Sequence, residues 1–415
     1  MGCAYSMYAL GRNKKTSIAE VVVFVPSIRI PVHSDLQRAL RGIVPKDLAD
    51  KLSSLRNQIV LVAEDTGGSA IAELRRALNE YLSVLIGITK KDYALEGLIE
   101  FKWKNFHDGR QDSCLANAWF EVLSALHLMA MLTLSEADSL MIPKDNSGSG
   151  IRVVSSDSKR EAVDLLLKVS GYLEFCVRNV LPRIPLEIKK NLPQELQEEI
   201  LEAISIQALA QGTEIQLGLA VESQKATLSV KRRLACEQLV YCIQAYHCLS
   251  GFDFNQGYKK KHIRFIKWKF LEAKAAAYYY HGLILDKGSE PTSHIGAVSC
   301  FLAAQELLAE SKKACLSFCL AAPVTRTPPL WGAMKLLHQK IPEVASRKSQ
   351  MYGYLLEQEK GLQSLPDLPE FQLSLRPDDY ELPEIDPAWD NENWENLGEP
   401  LKVHLRDSED EIPTQ

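Results

Sequence analysis

A mostly α-helical fold with a small β element near the N-terminus is what the sequence predicts. Three observations lead there. From about residue 156 onward, long amphipathic segments follow one another at a 3.6-residue period with short connections between them. Ala19 to Val32, AEVVVFVPSIRIPV, is rich in β-branched residues, and Pro26 and Pro31 break any helix. GLIEFKWKN, 97–105, is a second short β-like segment.

Taken in order, residues 19–32 read as a strand or short hairpin, and 45–63 and 69–88 as two helices split by DTGGS, with Ser69 as N-cap. After the β-like 97–105 comes an apolar helix over 113–136. Its richest stretch, Ala116 to Leu134, is long enough to suggest a membrane span. However, Asn117, Glu121 and Ser124 form a polar stripe at helical spacing, as on a core helix of a protein interior. Ser158 and Glu161 match a capping box opening the next helix, which carries Ala162, Val163, Leu166, Val169, Leu173, Cys176, Val177 and Val180 on one face and stops at Pro182. Helices are then expected over about 194–223, 227–250, 259–287, 291–320 and 330–362, with neighbours antiparallel.

Charge divides the chain. Residues 366–415 hold fifteen acidic and three basic side chains and seven of the nineteen prolines, so with a total of −5 the preceding 365 residues carry +7. Three parts are expected: an arm over 1–19, a helical domain over 20–390 whose 366–390 stretch lies extended against the body, and an acidic disordered tail over 391–415. The total charge argues against general nucleic-acid binding. The nine cysteines show no metal-ligand spacing and read as buried thiols of a cytoplasmic protein.

The N-terminal MGCAYS matches the acylation pattern M-G-x-x-x-S, so a myristoyl chain is expected on Gly2, with Cys3 beside it as the place for a palmitoyl chain. One acyl chain holds a membrane only marginally, so Cys3 or the basic Arg12, Lys14 and Lys15 are expected to supply the second signal. A disordered terminus is the plain alternative. No nucleophile elbow, zincin helix, phosphate loop or dinucleotide fingerprint is present, and no cofactor, metal or small-molecule substrate is expected. His247 and His281 lie in helical stretches and read as packing histidines. A catalytic role for either is the rival reading.

Several segments together resemble the BRO domain, the ALIX-type endosomal-sorting domain, with plant-type single-domain members nearest in organisation. They are IEFKWKN (99–105), SCLANAWFEVLSALHLMA (113–130), LAQGTEI (209–215), EAKAAAYYYHG (272–282), GAVSCFLAAQELLAES (296–311) and SLPDLPE (364–370). The resemblance implies a boomerang-shaped domain with tetratricopeptide-like antiparallel helices, a small β-sheet and no catalysis. It implies an adaptor that binds the C-terminal helix of ESCRT-III subunits in an apolar groove during multivesicular body sorting. Gln216 stands where ALIX has Phe. An ungapped match puts the next two groove positions on Ser229 and Arg233; one extra residue in the 226–228 turn puts them on Val230 and Leu234, the preferred register. Leu217 would then stand beside them, with Lys231 and Arg233 on the rim facing an acidic partner helix. The expected protein is a lipid-anchored adaptor, peripheral on endosomal membrane or, as the other destination, plasma membrane. The alternative is a membrane-tethered helical scaffold without ESCRT-III binding.

Overall fold

The computed structural model describes residues 18–26, 28–66, 69–90, 95–105, 112–145, 152–250, 257–358 and 365–390. In chain order the elements are β1 (Arg29–Pro31), α1 (Leu36–Ala39), α2 (Lys46–Thr66), α3 (Ile71–Ile88), β2 (Glu100–Asn105), β3 (Ser113–Ala116), α4 (Ala118–Leu140), β4 (Lys144–Asp145), β5 (Arg152–Val153), α5 (Ser156–Phe175), α6 (Leu186–Lys189), α7 (Glu198–Glu222), α8 (Leu228–Ser250), α9 (Gly257–Leu285), α10 (Pro291–Leu320), α11 (Gly332–Met351) and α12 (Gly353–Gln358). The mostly helical class with a small sheet near the N-terminus is therefore as expected. The chain divides into two compact units, one built from 28–132, 175–197 and 380–390, the other from 18–26, 133–174 and 198–379.

In the first unit, β1, β2 and β3 form an antiparallel sheet in that order, with Ile30 opposite Lys104 and Phe101 opposite Leu115. Alternation along EFKWKN buries Phe101 and Trp103 and leaves Glu100 and Lys102 outside. One buried polar set ties helices to sheet. Glu121 Oε1 accepts from Arg56 Nε at 2.9 Å and Tyr81 Oη at 2.8 Å, its other oxygen accepts from Trp103 Nε1, and Arg56 Nη2 reaches the Lys102 carbonyl at 2.9 Å. Glu121, one residue of the expected polar stripe on the apolar helix, is thus the partner of a buried arginine. Among the described residues, α4 is the one helix long and apolar enough to cross a membrane, and 94% of its apolar window is buried.

The second unit is built from the long helices. Consecutive pairs α7–α8, α8–α9, α9–α10 and α10–α11 pack on one another, joined between α7 and α8 by 223–227 and between α9 and α10 by 286–290. Small residues permit close approach: Ala275, Ala276 and Ala277 of α9 share a core with Ala297, Phe301 and Ala304 of α10 and with Leu337 and Ile341 of α11. At Gly282 a Cβ would come within 2.8 Å of the Phe301 ring, so α9 meets α10 there only as glycine.

Five expectations are corrected. Only Arg29–Pro31 of the 19–32 stretch is a strand. Residues 18–26 run extended but are held by side chains, with Gln211 Nε2 donating to Val22 O at 2.8 Å, Gln207 Nε2 to Phe24 O at 2.9 Å and Val23 N to Asp138 Oδ1 at 3.0 Å. The helix expected from 113 begins at Ala118, because Ser113–Ala116 pairs with β2 and Asn117 Oδ1 takes the Phe120 N–H at 3.0 Å as a cap. Ser69 is not the cap of α3, which is preceded by Ala70, with no side-chain cap bond. Ser155, not Ser158, caps α5: its hydroxyl accepts the Ser158 N–H at 3.0 Å. The last expected helix is also divided, α11 and α12 meeting at Tyr352.

Candidate functional site on the α7 and α8 pair

LAQGTEI lies on α7 and uses its polar residues inward. Gln211 holds the extended N-terminal stretch, and Glu214 pairs with Lys269 of α9 at 2.8 Å, both nearly fully buried. The next residues, Gln216 and Leu217, approach the turn into α8. There Thr227 Oγ1 accepts the Val230 N–H at 3.3 Å and so fixes the start of α8.

Leu217 and Leu234 meet in one apolar cluster: Leu217 is buried in the α9–α10–α11 core, and the half-buried Leu234 packs against it. Val230, one turn before Leu234, is 46% exposed. Leu217 thus supports the surface from within, while Val230 is open to a partner and Leu234 is partly so. Gln216 is half-buried beside them and Lys231 half-exposed.

Arg233 engages its own chain. Its Nε pairs with Glu237 at 2.6 Å, and Nη2 donates to the Gln372 carbonyl at 3.3 Å and the Ser374 hydroxyl at 3.1 Å. Glu237 also takes the Ser374 N–H at 2.8 Å, and Tyr241 Oη donates to Leu375 O at 2.7 Å. Arg232 stands 5.8 Å from the Phe371 ring centre and 3.1 Å from His281 Nδ1. Residues 371–375 are thereby laid along α8, a use of Arg232 and Arg233 that the resemblance did not imply. Conversely, the apolar alternation FQLSL at 371–375 was the available signal.

His281 sits in a largely buried position, its pKa lowered by burial and by Arg232, and its Nδ1 accepts from a guanidinium. His247 is exposed and lies edge-on to Tyr246. Among the described residues no set of three His, Cys, Asp or Glu side chains could hold a metal ion. Gly2, Cys3, Arg12, Lys14 and Lys15 lie outside the described residues, as does the tail over 391–415.

Comparison with protein families places residues 44–348, more than half of the chain, on the BRO1-like domain model. The chain belongs to the BRO1-like domain family. Solved BRO1 structures share its fold. One, described as the structural basis for endosomal targeting by the Bro1 domain, is 15% identical with a TM-score of 0.58, covering 91% of this chain and 94% of that one. A complex of the ALIX BRO1 domain with CHMP4C is 15% identical with a TM-score of 0.61, covering 86% and 96%. ALIX bound to a late-domain peptide of SIVmac239 is 16% identical with a TM-score of 0.60, covering 87% of this chain and 49% of that one. A comparison with curated protein sequences finds no match.

Proposed function

We propose that this BRO1-like protein is a lipid-anchored, non-enzymatic adaptor of endosomal and multivesicular body sorting, and that its α7–α8 surface receives the amphipathic C-terminal helix of an ESCRT-III subunit. The observation that supports it best is the open Val230 one turn from the half-buried Leu234 on a BRO1-like scaffold, a fold whose ALIX representative was solved with CHMP4C. An amphipathic helix seats its apolar anchors on such a surface. Lys231, with its half-exposed ammonium, favours an acidic helix on the same face. Myristoylation of Gly2, palmitoylation of Cys3 and the basic Arg12, Lys14 and Lys15 would hold the adaptor on endosomal or plasma membrane, the motif MGCAYS being the support for this.

The test is fluorescence anisotropy of labelled ESCRT-III C-terminal helices against the purified chain. Saturable binding by the native protein, weakened at least tenfold by Val230→Asp at unchanged melting temperature, is the expected result. No binding by the folded native protein overturns the partner assignment and leaves the membrane-tethered scaffold. Fractionation of Gly2→Ala tests the anchor separately, with a shift from membrane to soluble fraction expected.

A further inference from the structure

A half-open cavity of about 220 Å³ lies within the second unit, walled by α7, α9, α10, α11 and the segment 327–331 that leads into α11. Its lining holds Glu20, Glu214 and Glu272 together with Lys269 and Lys312. Two carboxylates, Glu214 and Glu272, share the single ammonium of Lys269, at 2.8 and 3.1 Å, and all three residues are at most 7% exposed. Glu272 is complete, since its second oxygen accepts from Trp268 Nε1 at 2.7 Å. Glu214 is not: its Oε2 is buried without a hydrogen-bond partner among the described residues. The other acid on the wall, Glu20, is already paired with Lys159 at 2.9 Å.

A buried carboxylate oxygen left open is costly unless something donates to it; burial raises the Glu214 pKa even beside Lys269, and an ammonium donating to the open oxygen would hold the group ionised. Two other residues of the lining make a complementary demand. Trp331 Nε1–H, a donor only, has no acceptor, and neither ring nitrogen of His338 has a partner among the described residues. Burial and the nearby Lys312 outweigh Glu272 and hold His338 toward its neutral form, which offers one donor and one acceptor. The indole of Trp331 and the Pro328–Pro329 pair supply an apolar side for a short carbon chain. The volume admits several heavy atoms.

We propose that this cavity binds a small organic cation that also carries an oxygen acceptor, such as an amino alcohol or a lysine side chain with its carbonyl. Glu214 takes the ammonium, and Trp331 and His338 take the oxygen. The site is separate from the α8 surface around Val230 and does not depend on the adaptor reading.

Isothermal titration calorimetry of the full chain in amine-free phosphate buffer tests it with three probes: 4-amino-1-butanol, Nα-acetyl-lysinamide and the uncharged 1,4-butanediol. Saturable binding of at least one cation, at least tenfold tighter than the diol, is expected. Glu214→Gln should weaken it about tenfold or more and Trp331→Phe about threefold or more, as for a lost charged and a lost neutral hydrogen bond. Tighter binding of the lysinamide identifies a polypeptide side chain as the source, and tighter binding of the amino alcohol a free amine. Trp331→Phe keeps the ring and serves if Glu214→Gln fails to fold. No saturable heat with either cation to about 10 mM, equal binding of the diol, or unchanged affinity in the folded variants overturns the proposal.

Discussion

The indole of Trp389 occupies the space that any side chain at residue 87 would need. A Cβ built on Gly87 would come within 2.1 Å of Trp389 Cε2, and Trp389 Nε1 donates to the Val84 carbonyl at 2.9 Å. The tryptophan is 1% exposed although it stands in a Pro-interrupted acidic stretch. Trp389→Ala should therefore destabilise the chain by about 3–5 kcal/mol, the usual loss for a buried large aromatic. Gly87→Ala should expel the ring with a loss of similar direction. Urea unfolding of both variants measures this, and a change below about 1 kcal/mol for Trp389→Ala would refute the plug.

The Arg56–Glu121 pair makes the second prediction. Both side chains are at most 1% exposed, and Tyr81 and Trp103 complete the carboxylate's bonds. Removing one partner leaves a buried charge, so Arg56→Met or Glu121→Leu alone should cost about 3–5 kcal/mol, while the double replacement should recover most of the loss. A double-mutant cycle in denaturant reads it directly. Additive losses would mean the two charges are not coupled.

How much of this was legible beforehand depends on what satisfied each backbone group. The long helices were readable because 3.6-residue periodicity reports burial against other helices, and α10, Pro291–Leu320, begins and ends at the expected residues. The 19–32 stretch misled because β-branched residues mark an extended, buried chain, whereas a strand also needs a neighbour; Gln207, Gln211 and Asp138 took that role from over a hundred residues away. Caps slipped by up to three residues because several Ser and Asn candidates stood near each boundary. For the site, the family resemblance and its preferred register picked out Leu217, Val230 and Leu234, but could not say that Leu217 turns into the core. The lysine-linked acids Glu214 and Glu272 are 58 positions apart in sequence, a separation that no local pattern connects.

The strap over α8 gives the third prediction. Glu237 is 1% exposed and takes both the hydroxyl and the N–H of Ser374, while Arg233 reaches the same strap from an exposed position. Glu237→Ala strips the strap of its buried anchor and leaves the Ser374 N–H unsatisfied, at a cost of about 1–3 kcal/mol. Arg233→Ala leaves the Ser374 bonds to Glu237 in place but takes the cation from a fully buried carboxylate, so it should cost less than Glu237→Ala, about 1 kcal/mol. Limited proteolysis should therefore cut near 371–375 faster in Glu237→Ala than in Arg233→Ala. The reverse order would contradict this division of roles.

The fourth prediction concerns acid. His262 is fully buried, donates from Nε2 to Gln207 Oε1 at 2.6 Å and stacks on Phe24 with ring centres 5.2 Å apart, and burial pushes its pKa from 6.5 down to about 3. His127, also fully buried, is pushed to about 3 by burial and by Arg29. A histidine depressed in this way takes its proton more readily when the chain is unfolded. The folded state therefore keeps its full stability above about pH 6.5 and loses it as the pH falls toward 3, by about 1.4 kcal/mol per pH unit for each histidine. Between pH 7 and pH 5 each should account for about 2 kcal/mol. Urea unfolding at both values should show His262→Gln less stable than the native chain at pH 7 yet about 2 kcal/mol less sensitive to the drop. Equal sensitivity in the two proteins would mean that His262 takes up its proton in the fold as readily as in the unfolded chain, and that burial does not depress its pKa.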